Sequence, residues 1–159
     1  MARILVTYFS RSGNTAQMAE LIGQAAREVD GAEAEVRPVE EVSPDDLLDY
    51  QGLILGSPVY YGGPAAEIKA LLDASVRHHG KLDGRVGGAF ASGGVFGGGC
   101  ETTVLGLLQA LLIHGMVVKG EYGGAHYGPV SVGAPQEQAA QACAKLGRSV
   151  ATLAVRLFG

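Results

Sequence analysis

A short polar turn, Ser10-Arg11-Ser12-Gly13-Asn14-Thr15, follows an apolar run at residues 4–9 and leads into a segment of helical period. A strand that passes directly into a helix points several backbone N–H groups, and the positive end of the helix dipole, at one place. Three hydroxyl side chains in the turn can add donors there, and a glycine lets the backbone approach a ligand closely. These residue types in this order predict a phosphate-binding turn.

The spacing within this turn excludes two common nucleotide-binding loops. The turn has neither the G-x-x-x-x-G-K-[ST] pattern of P-loop ATPases nor the G-x-G-x-x-G pattern of dinucleotide-binding dehydrogenases. The alternative to a phosphate site is an ordinary strand-to-helix turn, in which Asn14 or Ser12 caps the helix.

Glycine is concentrated in three further loops. The chain contains 25 glycines, about twice the usual share of roughly 7%. They gather at residues 62–63, 93–99 and 120–128, after predicted strands. Single tight turns would need fewer glycines than residues 93–99 contain, so we expect the backbone there to approach a flat ligand closely.

Aromatic side chains occupy the same glycine-rich loops. Tyr60 and Tyr61 lie in the loop after the third predicted strand, and Phe96 lies in the loop after the fourth. Aromatic rings on these loops are suited to stacking on a planar heterocycle. A core or surface role for either tyrosine is the alternative.

Apolar runs that suit strands alternate along the chain with segments of helical period, a pattern typical of a doubly wound parallel α/β sheet. The predicted strands span residues 3–9, 33–39, 53–56, 85–91 and 116–121, and the predicted helices span residues 15–29, 65–79, 101–114 and 136–158. With right-handed crossovers, these elements form a three-layer sandwich around a five-stranded parallel sheet in the order 2-1-3-4-5. Ligands bind such a sheet outside the carboxyl ends of its strands, where the glycine-rich loops would meet the phosphate turn.

Length and composition fit one compact domain over residues 1–159. The chain is 47% hydrophobic, which supplies a core, and no segment resembles a linker. Its 12 basic residues are scattered and are outnumbered by 16 acidic ones, which argues against a nucleic-acid partner. The chain begins with a strand and has no apolar stretch long enough to cross a bilayer, so we expect a cytoplasmic protein without membrane insertion.

The cysteines do not point to a disulfide or a metal centre. Cys100 and Cys143 are far apart and form no C-x-x-C pair, which favours reduced thiols. Cys100 begins the third predicted helix, where a thiolate would be favoured. Because no base or second cysteine is nearby in sequence, a structural role is the preferred interpretation. No metal-ligand cluster, paired carboxylates or Ser-His-Asp set is present as a competing site.

Five motifs are distributed along residues 10–129. They are S-x-x-G-x-T at residues 10–15, G-S-P-V-Y-Y-G-G at 56–63, S-G-G-V-F-G-G-G-C-E at 92–101, H-G-M at 114–116 and Y-G-P at 127–129. In these motifs the chain resembles the WrbA branch of the flavodoxin-like superfamily. Members of that branch are FMN-dependent NAD(P)H:quinone oxidoreductases.

The resemblance implies FMN as cofactor, NAD(P)H as electron donor, a quinone or other small molecule as acceptor, and a homodimer or homotetramer. It implies that the first turn holds the FMN phosphate, that residues 59–61 edge the isoalloxazine, and that residues 92–97 bond its pyrimidine side. The implied cofactor-binding residues are Ser10, Arg11, Ser12, Gly13, Asn14, Thr15, Pro58, Val59, Tyr60, Tyr61, Gly62, Ser92, Gly93, Gly94, Val95, Phe96, Gly97 and His114.

His114 is also the implied catalytic residue, because it matches the family's flavin-site histidine and would border the reacting face of the flavin. An imidazole there can donate a hydrogen bond to a quinone oxygen. The alternative is a cap at the C-terminal end of the third helix, whose last carbonyls attract a cation.

The chain departs from the family pattern around the substrate pocket. Longer members carry an insertion after strand two and a pocket tryptophan, whereas this chain has a short connection and no tryptophan. Ser12 replaces the usual tyrosine of the first loop. Near the place of the missing tryptophan the chain has Arg77, His78 and His79, which would contact an anionic substrate or, alternatively, form a solvated helix end.

Two other functions stay open at this stage. A flavodoxin-type carrier would transfer single electrons and would need no substrate pocket. Such carriers are strongly acidic around the flavin, and a formal charge of −4 with few acids on these loops disfavours that function. A flavin-free interaction domain is disfavoured because all the predicted ligand loops are intact.

Overall fold

A parallel sheet runs through the centre of the molecule, which the computed structural model describes over residues 1–159. The strands are β1 (Ala2–Tyr8), β2 (Ala32–Pro38), β3 (Gly52–Tyr60), β4 (Gly63–Pro64), β5 (Val86–Gly93), β6 (Val117–Val118) and β7 (Val130–Val132). The sheet order is β2-β1-β3-β5-β6, while β4 pairs antiparallel with β3 and β7 pairs with the end of β5. The predicted order 2-1-3-4-5 is the same once the short hairpin strand β4 is left out: β5 is the fourth predicted strand, and β6 and β7 together occupy the fifth position.

Four helices cover both faces of this sheet: α1 (Asn14–Arg27), α2 (Ala66–Ala74), α3 (Cys100–Ile113) and α4 (Glu137–Phe158). Successive strand residues point to opposite faces. Ile4 of β1 therefore packs in the core beneath α1 and α4, whereas Leu5 packs in the core beneath α2 and α3. Burial on both faces explains why β1, β3 and β5 are nearly continuous apolar runs, whereas the edge strand β2 alternates between exposed and half-buried residues. None of the helices combines the length and apolar character of a membrane span.

The predicted fifth strand, residues 116–121, is wrong beyond Val118. Only Val117 and Val118 pair with the beginning of β5, and residues 119–129 then leave the sheet before β7 resumes opposite Ala91–Gly93. Four glycines lie within residues 120–128, and glycine weakens a strand interior. An edge strand has a neighbour on one side only, so little pairing is lost where it is interrupted.

Two other predicted elements end elsewhere. The second helix, predicted over residues 65–79, stops at Ala74 and continues as the 3-10 turn Ser75–His78. The Ser75 hydroxyl donates to the Leu72 carbonyl at 2.7 Å, a local bond that competes with the helical ladder. The third strand, predicted to end at residue 56, extends to Tyr60 because it forms a hairpin with β4. The other three helices match their predicted bounds within two residues.

The middle of the sheet depends on a glycine. Gly56 of β3 lies opposite Phe90 of β5, and a Cβ atom added to Gly56 would fall inside the fully buried Phe90 ring. Any side chain at position 56 therefore displaces the largest buried residue of the core.

We expect Gly56→Ala to lower the free energy of unfolding by about 1–3 kcal/mol, because it overpacks a core with no free space. Gly63→Ala is the matched control, since a Cβ atom there meets nothing within 4 Å. Urea unfolding of the two FMN-free variants measures the difference. Equal stability of the two variants would contradict the inference that the Phe90 ring excludes a side chain at position 56.

Candidate functional site

Three connections leave the sheet at the same edge, the carboxyl ends of the parallel strands. Tyr8, Gly56 and Phe90 are neighbours in the register of β1, β3 and β5. The turn after β1, the β3–β4 hairpin and the loop after β5 therefore all leave from this end of the sheet, where β3 and β5 continue four and three residues beyond the level at which β1 ends. These connections, together with the ends of β3 and β5 and the start of α1, contain all the predicted cofactor-binding residues except His114.

Ser10 organises the predicted phosphate turn. Its Oγ accepts hydrogen bonds from the backbone N–H groups of Gly13 and Ala16, both at 3.2 Å. Gly13 has a left-handed backbone, with φ at 98°. Neither Asn14 nor Ser12 caps α1 with its side chain, so the predicted capping residues are wrong. The hydroxyl at the start of the helix comes from Ser10 instead. Because the Ser10 oxygen accepts both bonds, its own O–H stays free to donate.

The same turn presents unpaired backbone donors. The N–H groups of Arg11, Ser12, Asn14 and Thr15 donate to no acceptor of the chain. Two of them belong to the first turn of α1, where the helix dipole adds positive potential. A Cβ atom at Gly13 would meet nothing within 4 Å, so the centre of the turn is open. This donor set fits a phosphate group.

A buried hydrogen bond ties the phosphate turn to β5. The hydroxyls of Thr15 and Ser92 lie 2.8 Å apart, and both side chains are buried. Two hydroxyls have two protons, and the bond between them uses one. Thr15 and Ser92 were predicted to bind different parts of the cofactor. Their hydrogen bond also fixes the phosphate turn against the end of β5, and one of the two hydroxyl protons stays free to donate.

The β3–β4 hairpin has a strained turn. Tyr61 and Gly62 both have positive φ, at 48° and 80°, which is the type I′ geometry favoured in two-residue hairpins. Tyr61 is the only residue other than glycine with positive φ, a conformation that costs roughly 1–3 kcal/mol, and its side chain is fully exposed. Ser57 anchors the hairpin, because its hydroxyl accepts from the Ala65 N–H and donates to the Pro58 carbonyl, both at 2.8 Å.

The loop after β5 completes the third wall. The N–H groups of residues 94–97 donate to no acceptor of the chain. Phe96 is 96% exposed. Gly99 approaches the hairpin so closely that its added Cβ would lie 3.3 Å from the Gly62 Cα. The loop and the hairpin are thus in contact, and each carries an exposed aromatic ring.

Carboxylates lie on the far side of the phosphate turn. A cavity of about 440 Å³ is lined by Tyr8, Arg11, Glu40 and Glu41 together with the turn itself. Burial, followed by the charges of Glu20, Glu40 and Glu41, raises the pKa of Tyr8. A larger concavity of about 1120 Å³ lies between residues 119–132 and α4, but it contains none of the predicted site residues.

The chain matches the model of the NADPH-dependent FMN reductase family over residues 3–129. This protein belongs to that family. A flavodoxin of Aquifex aeolicus (strain VF5) is 37% identical over 159 aligned residues, covering 95% of this chain and 86% of that protein. An NAD(P)H dehydrogenase (quinone) of Archaeoglobus fulgidus is 33% identical over 191 aligned positions, covering 99% of this chain and all of that protein.

Solved structures agree with the predicted fold. A flavodoxin from the domain Archaea aligns with a TM-score of 0.78 and 25% identity, over 96% of this chain and 98% of that one. The flavodoxin, WrbA-like protein from Agrobacterium tumefaciens aligns with a TM-score of 0.79 and 23% identity, over 98% and 99%. The predicted flavodoxin-like fold is confirmed. The predicted use of FMN and NAD(P)H agrees with the family description and the relatives' names.

The structure does not bring His114 to the three loops that contain the other predicted cofactor-binding residues. Val117, just after His114, pairs with Val86, which precedes Ser92 by six residues, so His114 lies about 20 Å away along β5 at the opposite edge of the sheet. Its Nε2 is 2.8 Å from the Ser75 hydroxyl, and the residue is 8% exposed. Within one chain, His114 therefore lies away from the predicted flavin-binding loops, and its predicted place beside the flavin is wrong. His114 is the C-cap residue of α3, as the alternative predicted, but it is the backbone N–H that donates to the Ala110 and Leu111 carbonyls, while the side chain bonds to Ser75. Burial, followed by the nearby His79 and His78, lowers the pKa of His114.

The arginine and the two histidines predicted near the substrate also lie at the amino ends of the strands. Arg77 and His78 both contact the Asp45 carboxylate, at 2.9 and 2.6 Å. His79 stacks loosely near His114, with ring centroids 6.4 Å apart. Arg77 and His79 are exposed at the end of the α2 segment, as the solvated-end alternative predicted, whereas His78 is buried.

Cys100 has the structural role that the sequence favoured. Its side chain is buried and its Sγ lies 3.8 Å from the Ser131 carbonyl, to which it donates. Burial, with a smaller contribution from Glu101, raises the pKa of the Cys100 thiol. Burial raises the pKa of Cys143 to about 12. Ser131 of β7 lies beside Ser92 of β5. The sequence does not reveal this pairing, because the fifth strand is interrupted before residue 130.

We expect Ser10→Ala to lower the free energy of unfolding of the FMN-free protein by about 1 kcal/mol, because it removes the acceptor for two N–H groups at the start of α1. Ser12→Ala, two residues away and exposed, removes a hydroxyl with no partner in the chain and should change stability little. Urea titrations of both variants test this. A larger loss in Ser12→Ala would contradict the role given to Ser10.

We expect His114→Asn to lower stability at pH 7.5 by about 1 kcal/mol through loss of the Ser75 bond. The folded-state pKa of His114 is lowered, so below about pH 6.5 the unfolded chain binds the proton more readily. Wild-type stability should therefore fall as the pH drops below 6.5, and the variant should show a smaller decline. Urea unfolding at pH 7.5 and 5.5 measures both effects. FMN binding by the variant should be unchanged, because His114 lies at the other edge of the sheet.

Proposed function

We propose that this protein is an FMN-dependent NAD(P)H:quinone oxidoreductase of the WrbA type. The observation that carries the proposal is the pair of uncharged loops beside the phosphate turn, residues 60–63 and 93–99, most of whose residues are exposed. They combine unpaired backbone donors with the exposed rings of Tyr61 and Phe96. Such a surface suits the stacking of flat neutral molecules. The quinone-reducing relative from Archaeoglobus fulgidus supports the same assignment.

The phosphate turn would bind the phosphate of FMN through neutral donors. The N–H groups of Ser12, Asn14 and Thr15 and the free O–H of Ser10 would share its negative charge, with Arg11 as the only cation of the turn. A turn of this size suits a monophosphate. The resemblance assigns the Val59–Tyr61 segment to the edge of the isoalloxazine, and the position of the hairpin beside the turn supports this.

The loop after β5 would bind the pyrimidine side of the flavin. The N–H groups of residues 94–97 would stabilise negative charge on that side, and fixed donors of this kind favour the reduced state. FMN, when bound, supplies the redox chemistry: it takes up two electrons from the nicotinamide and gives them to the acceptor. The chain's own part is to hold the ring and to leave one face open between exposed aromatic side chains.

A flavodoxin-type one-electron carrier is the second candidate. The Aquifex aeolicus flavodoxin, at 37% identity, supports it. Glu40 and Glu41 beside the phosphate turn also support it, because acidic surroundings serve a carrier in docking. The loops that would flank the flavin ring itself carry no charge, and this favours the reductase.

We expect anaerobic addition of NADH or NADPH to the FMN-loaded protein to bleach its yellow colour, and a quinone to restore it. Both reactions are followed by visible absorbance. A flavin that dithionite bleaches but neither nicotinamide bleaches would instead indicate the carrier. Finding FAD, or no flavin uptake on reconstitution, would contradict the FMN site.

Two glycine variants separate flavin binding from folding. Gly13→Val and Gly80→Val place the same side chain at positive φ with nothing within 4 Å, so backbone strain should lower the stability of both by about 1–2 kcal/mol. Gly80 lies at the amino edge, in the connection before β5. Only Gly13→Val should lose FMN, because only that side chain would fill the phosphate turn.

A further inference from the structure

The larger of the two concavities has no role in the site described so far. It has a volume of about 1120 Å³ and lies between residues 119–132, at the edge of the sheet, and residues 136–149 at the start of α4. None of the residues predicted for the FMN site lines it. Binding sites for small molecules typically measure about 300–1,000 Å³, so this concavity has room for a nucleotide.

The concavity begins beside the loop after β5. Val132, which lines it, pairs with Gly93 at the end of that strand. The helix α4 starts nearby and runs back toward the amino ends of the strands, where Val150 lies close to the first residue of β3. Lys145 follows Glu137, the first residue of α4, by eight residues, which places it about 12 Å along the helix. A ligand that starts at the loop after β5 and lies in the concavity therefore reaches Lys145.

Cations outnumber carboxylates along this concavity, although the chain as a whole is acidic. The charged side chains that line it are Lys119, Lys145 and Arg148 on one side of the balance, and Glu121 and Glu137 on the other. The whole chain has a formal charge of −4, and the smaller cavity beside the phosphate turn has two carboxylates and one arginine. An anionic ligand is therefore attracted to the larger concavity more than to the smaller one.

Two of the three cations are available to a ligand. Arg148 donates to the Glu28 carboxylate at 2.6 Å and is already paired. The Lys145 Nζ lies 3.4 Å from the Glu121 carboxylate, and an exposed pair of this kind contributes little to stability. Lys119 is exposed and donates only to the carbonyl of the next residue. Both lysines can therefore turn toward a phosphate, which accepts charge-assisted hydrogen bonds.

The segment that interrupts the fifth strand adds neutral donors and an aromatic ring. The backbone N–H groups of residues 124–128 donate to no acceptor of the chain. Tyr127 lines the concavity and is half exposed. Free N–H groups can donate to phosphate oxygens, and an exposed aromatic ring can stack on a planar base. Cations, free N–H groups and an aromatic ring in one concavity together fit a ligand that combines phosphates with a planar base.

We propose that this concavity binds the adenosine diphosphate part of NAD(P)H, with Lys119 and Lys145 at its phosphates and the Tyr127 ring against its adenine. The proposal rests on the proposed reductase function, in which the nicotinamide reaches the flavin beside the loop after β5. A pyrophosphate joins the two halves of this dinucleotide, so one half can lie at the flavin while the other lies in the adjoining concavity. An electron carrier takes no nicotinamide and would not need such a site.

Steady-state kinetics of the FMN-loaded protein test the proposal. Lys145→Gln and Tyr127→Ala should each raise the KM for the nicotinamide donor roughly tenfold with little change in kcat, because they remove contacts far from the reacting atoms. Reduced nicotinamide mononucleotide lacks the adenosine half, so the wild type and both variants should use it equally well. A higher KM for both NADH and NADPH would place Lys145 at the pyrophosphate, and a higher KM for NADPH alone would place it at the 2′-phosphate.

Two variants outside the concavity are matched controls. Lys69→Gln removes a lysine that, like Lys145, is exposed and paired with an acidic residue, but Lys69 lies on α2 at the other face of the sheet. Tyr122→Ala removes an exposed ring of the same segment that does not line the concavity. Neither control should change the KM for NADH or NADPH. Circular dichroism confirms that each variant is folded.

Calorimetric titration of the FMN-loaded protein with ADP-ribose separates this site from the redox reaction, because ADP-ribose has no nicotinamide. The wild type should bind ADP-ribose, and Lys145→Gln should bind it roughly tenfold more weakly. No binding by the wild type, or equal binding by the two proteins, would overturn the proposal and leave the reductase function intact. A flavin that neither NADH nor NADPH bleaches would contradict the reductase function instead, and the titration would still decide whether the concavity binds the adenosine diphosphate group.

Discussion

The parallel register of β1, β3 and β5 places Tyr8, Gly56 and Phe90 side by side, so that the connections after these three strands all leave from the same end of the sheet. This register depends on the Phe90 ring lying across a position without a side chain. Above it, the Thr15–Ser92 hydrogen bond joins the first turn to the end of β5. The packing of the core therefore determines where the polar atoms of the site lie. The sheet does not depend on those polar atoms for its stability.

The predicted phosphate turn would bind its ligand through dipoles more than through charge. It contains one arginine, and the neighbouring cavity contains two carboxylates, so little electrostatic attraction comes from side chains. Unpaired N–H groups and the α1 dipole compensate for this within a few ångströms of the phosphate position. A site built in this way selects by geometry. The type I′ turn at Tyr61 also depends on backbone geometry: the residue has a strained positive φ, and its aromatic ring is fully exposed to solvent.

The amino edge of the sheet has a supporting role. Arg85 donates from one nitrogen to the carbonyls of Leu47, Leu48 and Tyr50, which ties the connection between β2 and β3 to the start of β5. Asp45 in that connection pairs with Arg77 and His78, and His114 bonds to Ser75 close by. The short connection after β2 is therefore held by ion pairs and hydrogen bonds at the edge farthest from the site. The cationic residues that suggested substrate contact in the sequence serve this support.

The sequence by itself determined the layer architecture, the strand order and the position of the phosphate turn. Apolar periodicity, a strand-to-helix turn and glycine clusters are local signals, and β1, α1, α3 and α4 appear where those signals lie. Only the tertiary structure decided which hydroxyl caps α1, which partner Thr15 takes, and where the fifth strand is interrupted. Each of these depends on atoms distant in sequence, such as Ser92 beside Thr15 or Val130 beside Ala91. The position of His114 also depended on the tertiary structure. The motif identified the residue, but only the pairing of Val117 with the start of β5 shows that His114 lies at the amino ends of the strands.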